Sequence, residues 1–276
     1  MGTPERWRPS PTIRASLALH AGAALVAAAA PGLWPQALAA VAANQALLTA
    51  AGLLPRSTLL GANLTRLPQA GAARGEIALT IDDGPDPEVT PRVLDLLDRA
   101  NAGGAGGMKA TFFCIGERVA AHPALAREMV ARGHAIENHG QRHLTMFAAL
   151  GPGGMRREIA DAQKSIADAV GRAPRWFRPT AGLRNPFLDP VLAGLGLRLA
   201  SWTRRPFDTR CGDVDAVHAR LTRNLAAGDI LLMHDGHAAR TPAGTPVVLD
   251  ALPRLLASLD GHGLRSVTLA AAFGHD

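Results

Sequence analysis

Tyrosine is absent from the 276 residues, cysteine occurs twice (Cys114 and Cys211), and aromatic residues make up 4% of the chain. Two cysteines exclude a disulfide-stapled scaffold and a four-cysteine zinc site, and they leave the redox compartment open. With arginines spread along the chain and no basic-aromatic stripe, a nucleic-acid platform is excluded and no nucleic-acid partner is expected. Lysine is nearly missing as well: Lys109 and Lys164 are the two present, so the formal net charge of +6 is an arginine charge. Such a charge suits an anionic membrane surface as readily as nucleic acid, and its distribution has to choose. What is abundant is apolar. At 47% hydrophobic and 19% charged, the composition excludes a disordered tail or a collagen-like repeat and allows a large core.

A second absence is local. No Asp, Glu, Lys or Arg occurs from Ala15 to Pro55, a run of 41 residues bounded by Arg14 and Arg56. About 20 helical residues cross a bilayer once, so the run has the length of two spans. Pro31-Gly32-Leu33-Trp34-Pro35 breaks it near the middle, and a helical hairpin over residues 1–55 accounts for all of it. A cleaved signal peptide ending near Ala37-Leu38-Ala39 leaves the apolar stretch Ala40 to Leu54 unexplained. A soluble alanine-rich helix pair is the third reading, since His20, Asn44 and Gln45 interrupt the run. Arginines flank both outer ends (Arg6, Arg8 and Arg14; Arg56, Arg66 and Arg74) and the central turn has none. The hairpin reading therefore predicts a bacterial-type inner-membrane anchor with the rest of the chain on the cytoplasmic side. A signal peptide or single anchor would put it on the other face.

After a linker over residues 56–75, short apolar strands alternate with helical periodicity. The strands read as Ile77 to Ile81, Ala110 to Ile115, His134 to Glu137, Arg175 to Arg178, Leu197 to Trp202, Asp229 to Met233 and Leu264 to Thr268. Helices are predicted over Pro91 to Ala100, Glu117 to Arg132, Gly154 to Val170, Val214 to Ala227 and Val247 to Leu259, with Gly133 and Gly171 as C-caps and Gly103 to Gly107 as a loop insertion. This alternation implies parallel strands with right-handed crossovers, hence an α/β barrel or a doubly wound sheet.

The polar groups able to do chemistry cluster just after the strands, on what would be one rim. Asp82 and Asp83 follow the first strand, His139 and His143 the third, Arg178 the fourth, Asp208 the fifth, and His234 and Asp235 the sixth. One helical turn would aim His139 and His143 at a single ion, and Asp83 supplies a third ligand. A His, His, Asp set leaves open positions on a divalent ion, the catalytic arrangement; the ligands favour zinc, with cobalt, manganese or iron also compatible. Asp82 beside Asp83 would be free to accept a proton. The plainer readings are two surface histidines, an Asp-Gly turn and a core histidine at 234.

The ordered set Thr80-Ile81-Asp82-Asp83-Gly84, His139-x3-His143, Arg178-Pro179-Thr180-Ala181-Gly182 and Leu232-Met233-His234 resembles the polysaccharide deacetylases of the NodB-homology type, carbohydrate esterase family 4. The resemblance spans roughly Glu76 to Phe273. It implies a distorted (β/α)7-type barrel over residues 76–276, behind the hydrophobic hairpin, and metal-dependent hydrolysis of N-acetyl, sometimes O-acetyl, groups on sugars. By motif position it makes Asp82 the general base, Asp83, His139 and His143 the metal ligands, His234 the general acid, and Arg178 the residue that orients Asp82. Two motifs depart from the family. Ala181 stands where tyrosine is usual, keeping the backbone N–H of the oxyanion site while losing a groove wall. The aspartate-tryptophan motif is blurred, leaving Asp208 as the partner of His234.

The expected substrate is an acetylated amino-sugar glycan, lipid-linked if the domain faces the cytoplasm, and Arg184, Arg204 and Arg205 near the rim would suit an anionic one such as a sugar diphosphate. The rival, motivated by the two altered motifs, is a non-catalytic, membrane-tethered glycan-binding or scaffold protein.

Overall fold

The computed structural model describes residues 7–101 and 107–274; all of the Gly103 to Gly107 insertion but Gly107 lies outside them. Two apolar helices come first, α1 (Pro11–Ala29) and α2 (Trp34–Leu53), joined by a 3-10 turn at Pro31–Leu33. Each carries proline in its first turn, where a missing N–H leaves no bond unmade. Ser10 caps α1, its Oγ accepting the Ile13 N–H and donating to the Leu59 carbonyl.

Four polar residues of the uncharged run, Ser16, His20, Asn44 and Gln45, bond one another across these helices. Asn44 Nδ2 donates to Ser16 Oγ (2.8 Å), Gln45 Nε2 donates to His20 Nε2 (3.0 Å), and His20 Nδ1 donates to the Ser16 carbonyl (2.7 Å). Leu17, Leu25, Leu38 and Leu47 are instead more than half exposed, at 61, 70, 57 and 53%. Ile13, Leu48 and Ala51 of the same helices are buried with Leu60. Both helices are long and apolar enough to cross a membrane.

The remainder is built on seven parallel-paired strands: β1 (Glu76–Asp82), β2 (Ala110–Cys114), β3 (Ala135–Asn138), β4 (Trp176–Phe177), β5 (Arg198–Leu199), β6 (Ile230–His234) and β7 (Arg265–Ser266). Their order is β5-β4-β3-β2-β1-β6, with β7 beside the first residues of β1. Backbone following β5 closes the curl: the N–H groups of Thr203 and Arg204 donate to the Ile230 carbonyl (2.8 and 3.2 Å), and the Leu232 N–H donates to the Arg204 carbonyl (3.1 Å). The result is the expected distorted barrel. Around it run α3 (Gln69–Ala73), α4 (Thr90–Asn101), α5 (Gly116–Ala121), α6 (Pro123–Ala131), α7 (Pro152–Val170), α8 (Leu188–Gly194), α9 (Val214–Thr222), α10 (Val247–Gly261) and α11 (Leu269–Ala272).

Every residue of β1 is buried, and its period-2 alternation sorts the two sides. Ile77, Leu79 and Ile81 join Leu94, Leu97, Leu252 and Leu255 of the outer helices. Ala78 packs instead with Phe113, Trp202, Ile230 and Leu232 in a second cluster, and Thr80 and Asp82 share its side of the strand.

Several expected boundaries move. Pro123 splits the helix expected over Glu117 to Arg132, because the residue before a proline avoids helical geometry: His122 sits at φ −127°, ψ 56°. Strands β4, β5 and β7 are two residues each, shorter than their apolar runs. Residues 56–75 lie against the barrel: the Leu64 N–H donates to the Leu199 carbonyl (3.0 Å), the Ser201 N–H to the Leu64 carbonyl (2.8 Å) and the Leu67 N–H to the Gly228 carbonyl (2.8 Å). The end of α2 docks there too, with the Arg184 N–H on the Gly52 carbonyl (3.1 Å) and Ser201 Oγ on the Pro55 carbonyl (2.6 Å).

Candidate active site

Adjacent strand residues point to opposite faces, so Asp82 and Asp83 would diverge if β1 continued. It ends at Asp82, and Asp83 takes a left-handed φ of 77°, a conformation aspartate tolerates better than bulkier residues. Both carboxylates thereby line one cavity of about 310 Å³.

His139 and His143 line the same cavity, but from a loop and not from the helical turn expected of their spacing. Positive φ at Gly140 (85°) and His143 (55°) is incompatible with a helix. Buried Glu158 on α7 holds the loop, accepting the Arg142 N–H (2.6 Å) and Nε–H (3.0 Å), while Asn138 Oδ1 accepts the Gly140 N–H (2.8 Å). The outcome matches the helical expectation in one respect: both rings reach one point.

At that point Asp83 Oδ1 lies 3.2 Å from Nε2 of both His139 and His143, and the ligand atoms of the three residues lie within 4.8 Å of one another. This oxygen is buried and has no hydrogen-bond partner. His139 Nδ1 donates to the Arg178 carbonyl (2.7 Å), which leaves Nε2 to face Asp83 Oδ1. Burial lowers the affinity of His139 for a proton, but Asp82 and Asp83 outweigh it and raise its pKa, so this corner favours positive charge, a proton on Nε2 or a cation in its place. Burial and the neighbouring His139 push His143 down to about 4, which keeps its lone pair available at neutral pH. Burial alone would raise the Asp83 carboxyl, but His139 and His237 hold it well below the usual carboxylate range. The donor set fits a divalent metal ion.

Arg178 is fully buried inside the barrel. It donates to Asp82 Oδ1 (2.6 Å), Thr80 Oγ1 (2.9 Å) and the carbonyls of Ala200 (3.1 Å) and Ser201 (2.7 Å), with its guanidinium 4.0 Å over the Phe113 ring. Desolvation lowers its pKa, and Asp82 opposes that. One Asp82 oxygen is thus held, and Oδ2 faces the cluster, 3.9 Å from His139 Nε2.

Across the cavity, Asp208 Oδ1 accepts from His234 Nδ1 (2.8 Å) and Oδ2 from the His234 backbone N–H (2.8 Å). Burial lowers the affinity of His234 for a proton, but Asp208 outweighs it and the ring rises to about 9. Ala181 lines the cavity at φ 55°. Gly182 follows at φ 75°, where a Cβ would stand 2.5 Å from the Trp202 ring and 2.7 Å from Pro55 Cβ; only glycine fits between this motif and the end of the hairpin.

Two residues differ from the reading of the sequence. His237 was not anticipated: its Nδ1 donates to Asp83 Oδ2 (3.1 Å), its Nε2 accepts from Arg118 Nη2 (3.1 Å), and its ring stacks 5.6 Å from His143. It occupies one Asp83 oxygen and leaves Oδ1 to the cluster. The available signal was its place three residues after His234. Asp235, placed on the rim by its strand position, is buried away from the cavity, accepting from Thr90 Oγ1 (2.5 Å) and packing against Gly84.

A family model described as polysaccharide deacetylase matches residues 70–200. A peptidoglycan-N-acetylglucosamine deacetylase of Bacillus cereus is 36% identical over 196 residues, spanning 70% of this chain and 86% of the relative. A chitooligosaccharide deacetylase of Sinorhizobium fredii is 32% identical over 206 residues, spanning 72% and 93%. Among solved structures, a family 4 acetyl xylan esterase of Clostridium thermocellum in complex with a cobalt ion superimposes with a TM-score of 0.62 at 32% identity, covering 72% of this chain and 90% of the esterase.

Proposed function

This chain belongs to the polysaccharide deacetylase family, carbohydrate esterase family 4, and from that premise we propose that it hydrolyses the N-acetyl group of an amino sugar at the cavity of Asp82 and His234. The observation that carries the reading is the free Oδ2 of Asp82 beside the Asp83, His139 and His143 cluster, with His234 in the same cavity. A divalent cation, zinc by the softness of its ligands or else cobalt, manganese or iron, would be held by Asp83 Oδ1 and the two Nε2 atoms and would supply Lewis-acid polarisation of an acetyl carbonyl and of water.

The chain's own groups do the rest. Asp82 Oδ2 takes a proton from the attacking water, and Arg178 keeps that carboxylate ionised and aimed. The Ala181 N–H donates to the oxygen that becomes negative as the carbonyl carbon turns tetrahedral. His234, charged through Asp208, gives its Nε2 proton to the departing nitrogen as the C–N bond breaks, leaving acetate and a free amine. Intact base, acid and ligand positions favour this enzyme over the non-catalytic scaffold.

The hairpin is read as a retained membrane anchor, supported by its polar contacts across the two helices, its exposed leucines and the docking of Pro55 against Gly182. Arginines at its outer ends favour the cytoplasmic face and, with it, a lipid-linked substrate. A C-terminal reporter active only outside the membrane would overturn that topology. For the chemistry, full-length protein in detergent is assayed for acetate release from N-acetylglucosamine oligomers. Loss on chelation and recovery with zinc or cobalt is expected; acetate release insensitive to chelator would contradict the reading.

A further inference from the structure

A second cavity, of about 540 Å³, adjoins the first and shares Ala181, Trp202, Arg205, Thr209 and Arg210 with it. Its far wall is the end of the hairpin, Leu53, Pro55 and Arg56. Ala181, with a single methyl as its side chain, lines both.

Several arginines near the rim or on the surface are already taken up. Arg132 meets Asp95, Asp98 and Glu128, and Arg204 is taken up by Asp229. Arg184 is buried and donates to the Ser57 carbonyl. Of the three arginines Arg184, Arg204 and Arg205, it is Arg205 that lines these two cavities. Among the described residues neither Arg205 nor Arg210 has a carboxylate within ion-pair distance, and Arg205 Nε is buried without a hydrogen-bond partner. The Arg205 guanidinium is pinned between the rings of Trp202 (5.3 Å) and Phe207 (5.1 Å). The carboxylates that act on it at longer range, Asp82, Asp208 and Asp83, are engaged by Arg178, His234 and His237. Two guanidinia without an ion-pair partner on one cavity wall, one of them stacked on aromatic rings, are suited to an anion.

We propose that this second cavity binds the phosphate or diphosphate that links the acetylated sugar to its carrier, with Arg205 and Arg210 as the ligands and Arg56 at the mouth. The inference rests on the deacetylase reading for the sugar in the first cavity. Carrier and sugar then occupy opposite ends of one groove. Leu53 and Phe207, 58 and 50% exposed, flank the carrier end, beside the last residues of an apolar helix. That location favours a lipid carrier, whose phosphate would stand at membrane-interface depth.

The test uses the full-length protein in detergent and three probes: a fifteen-carbon prenyl diphospho-N-acetylglucosamine, uridine diphosphate N-acetylglucosamine and neutral chitotetraose. Equilibrium binding is measured by calorimetry and acetate release is followed in parallel. Arg205→Gln and Arg210→Gln should each weaken the diphosphate probes by roughly ten- to a hundredfold, the weight of a charge-assisted contact. That loss should exceed the loss for chitotetraose at least tenfold, which separates a binding defect from misfolding. Tighter binding of the prenyl than of the uridine probe assigns the phosphate to a lipid, and the reverse order assigns it to a soluble sugar nucleotide. Equal binding of all three probes, or equal losses in the variants, overturns the anion site. No acetate from any probe, with the binding order intact, would instead count against the deacetylase reading.

Discussion

Asp208→Asn removes the charge that holds His234 protonated while sparing its shape. In the wild-type fold His234 titrates at about 9 against an ordinary 6.5; at about 1.4 kcal/mol per pH unit the difference is roughly 3 kcal/mol in favour of the charged ring. Most of it comes from Asp208, since burial acts the other way. The raised folded value means that this stabilisation is complete below pH 6.5 and disappears as pH rises through about 9. In the asparagine variant burial remains and the strongest opposing charge is gone, leaving only Asp82 and Asp83 to raise the ring, which should titrate well below 9 and be largely neutral at pH 7.5. The acid then has no proton to give, and kcat at pH 7.5 should fall by about 10²–10⁴-fold, the usual weight of general acid catalysis. Two assays read this. Histidine NMR titration of the metal-free protein should move the His234 titration from near 9 downward by about a pH unit or more, and the alkaline limb of kcat in the metal-loaded enzyme should shift the same way. A bound cation lowers both starting values without changing the direction of the shift. An unmoved His234 titration or alkaline limb in Asp208→Asn would refute the pairing as the source of the proton.

His237→Ala frees Asp83 Oδ2 without touching the three ligand atoms. It should weaken metal affinity about 10–100-fold, as loss of an outer-shell partner does, and competition with a chromogenic chelator measures it. Gly182→Ala forces a Cβ against Trp202 and Pro55 at a positive φ, so a loss of about 1–3 kcal/mol is expected. Thermal unfolding in detergent should show it as a lower Tm, and an unchanged Tm would mean that the hairpin end does not pack there.

The candidate site was legible because parallel strands deliver their C-terminal residues to one rim, so polar residues ending apolar runs could be gathered without coordinates. Asp82, Asp83, Arg178 and His234 follow that logic: Asp82, Asp83 and His234 line one cavity, and Arg178 lies buried behind it on Asp82. Asp235 follows it too and is a misleading case: the residue after His234 turns inward, because Gly84 and Thr90 leave a polar niche for it. The geometry of His139 and His143 was not legible. A spacing of four reads as a helical turn, and only the left-handed backbone at Gly140 and His143, with Glu158 as an anchor from a distant helix, makes it a loop. His237 and the paired roles of Asn44 and Gln45 depend on contacts between segments, 154 residues apart in the first case; the place of His237 three residues after His234 hints at the rim but not at Asp83 as its partner. The short strands β4, β5 and β7 were overestimated for a related reason: apolar runs mark burial, whereas pairing depends on where the barrel curls away.

The account stands on a division of labour between neighbouring carboxylates, with Asp83 holding a cation and Asp82 moving a proton. Bound metal and acetate release measured together on Asp82→Asn and Asp83→Ala test it most directly. Asp82→Asn should retain one metal per chain and lose acetate release by about 10²-fold or more, while Asp83→Ala should lose both. Full turnover in Asp82→Asn, or undiminished metal in Asp83→Ala, would contradict the account.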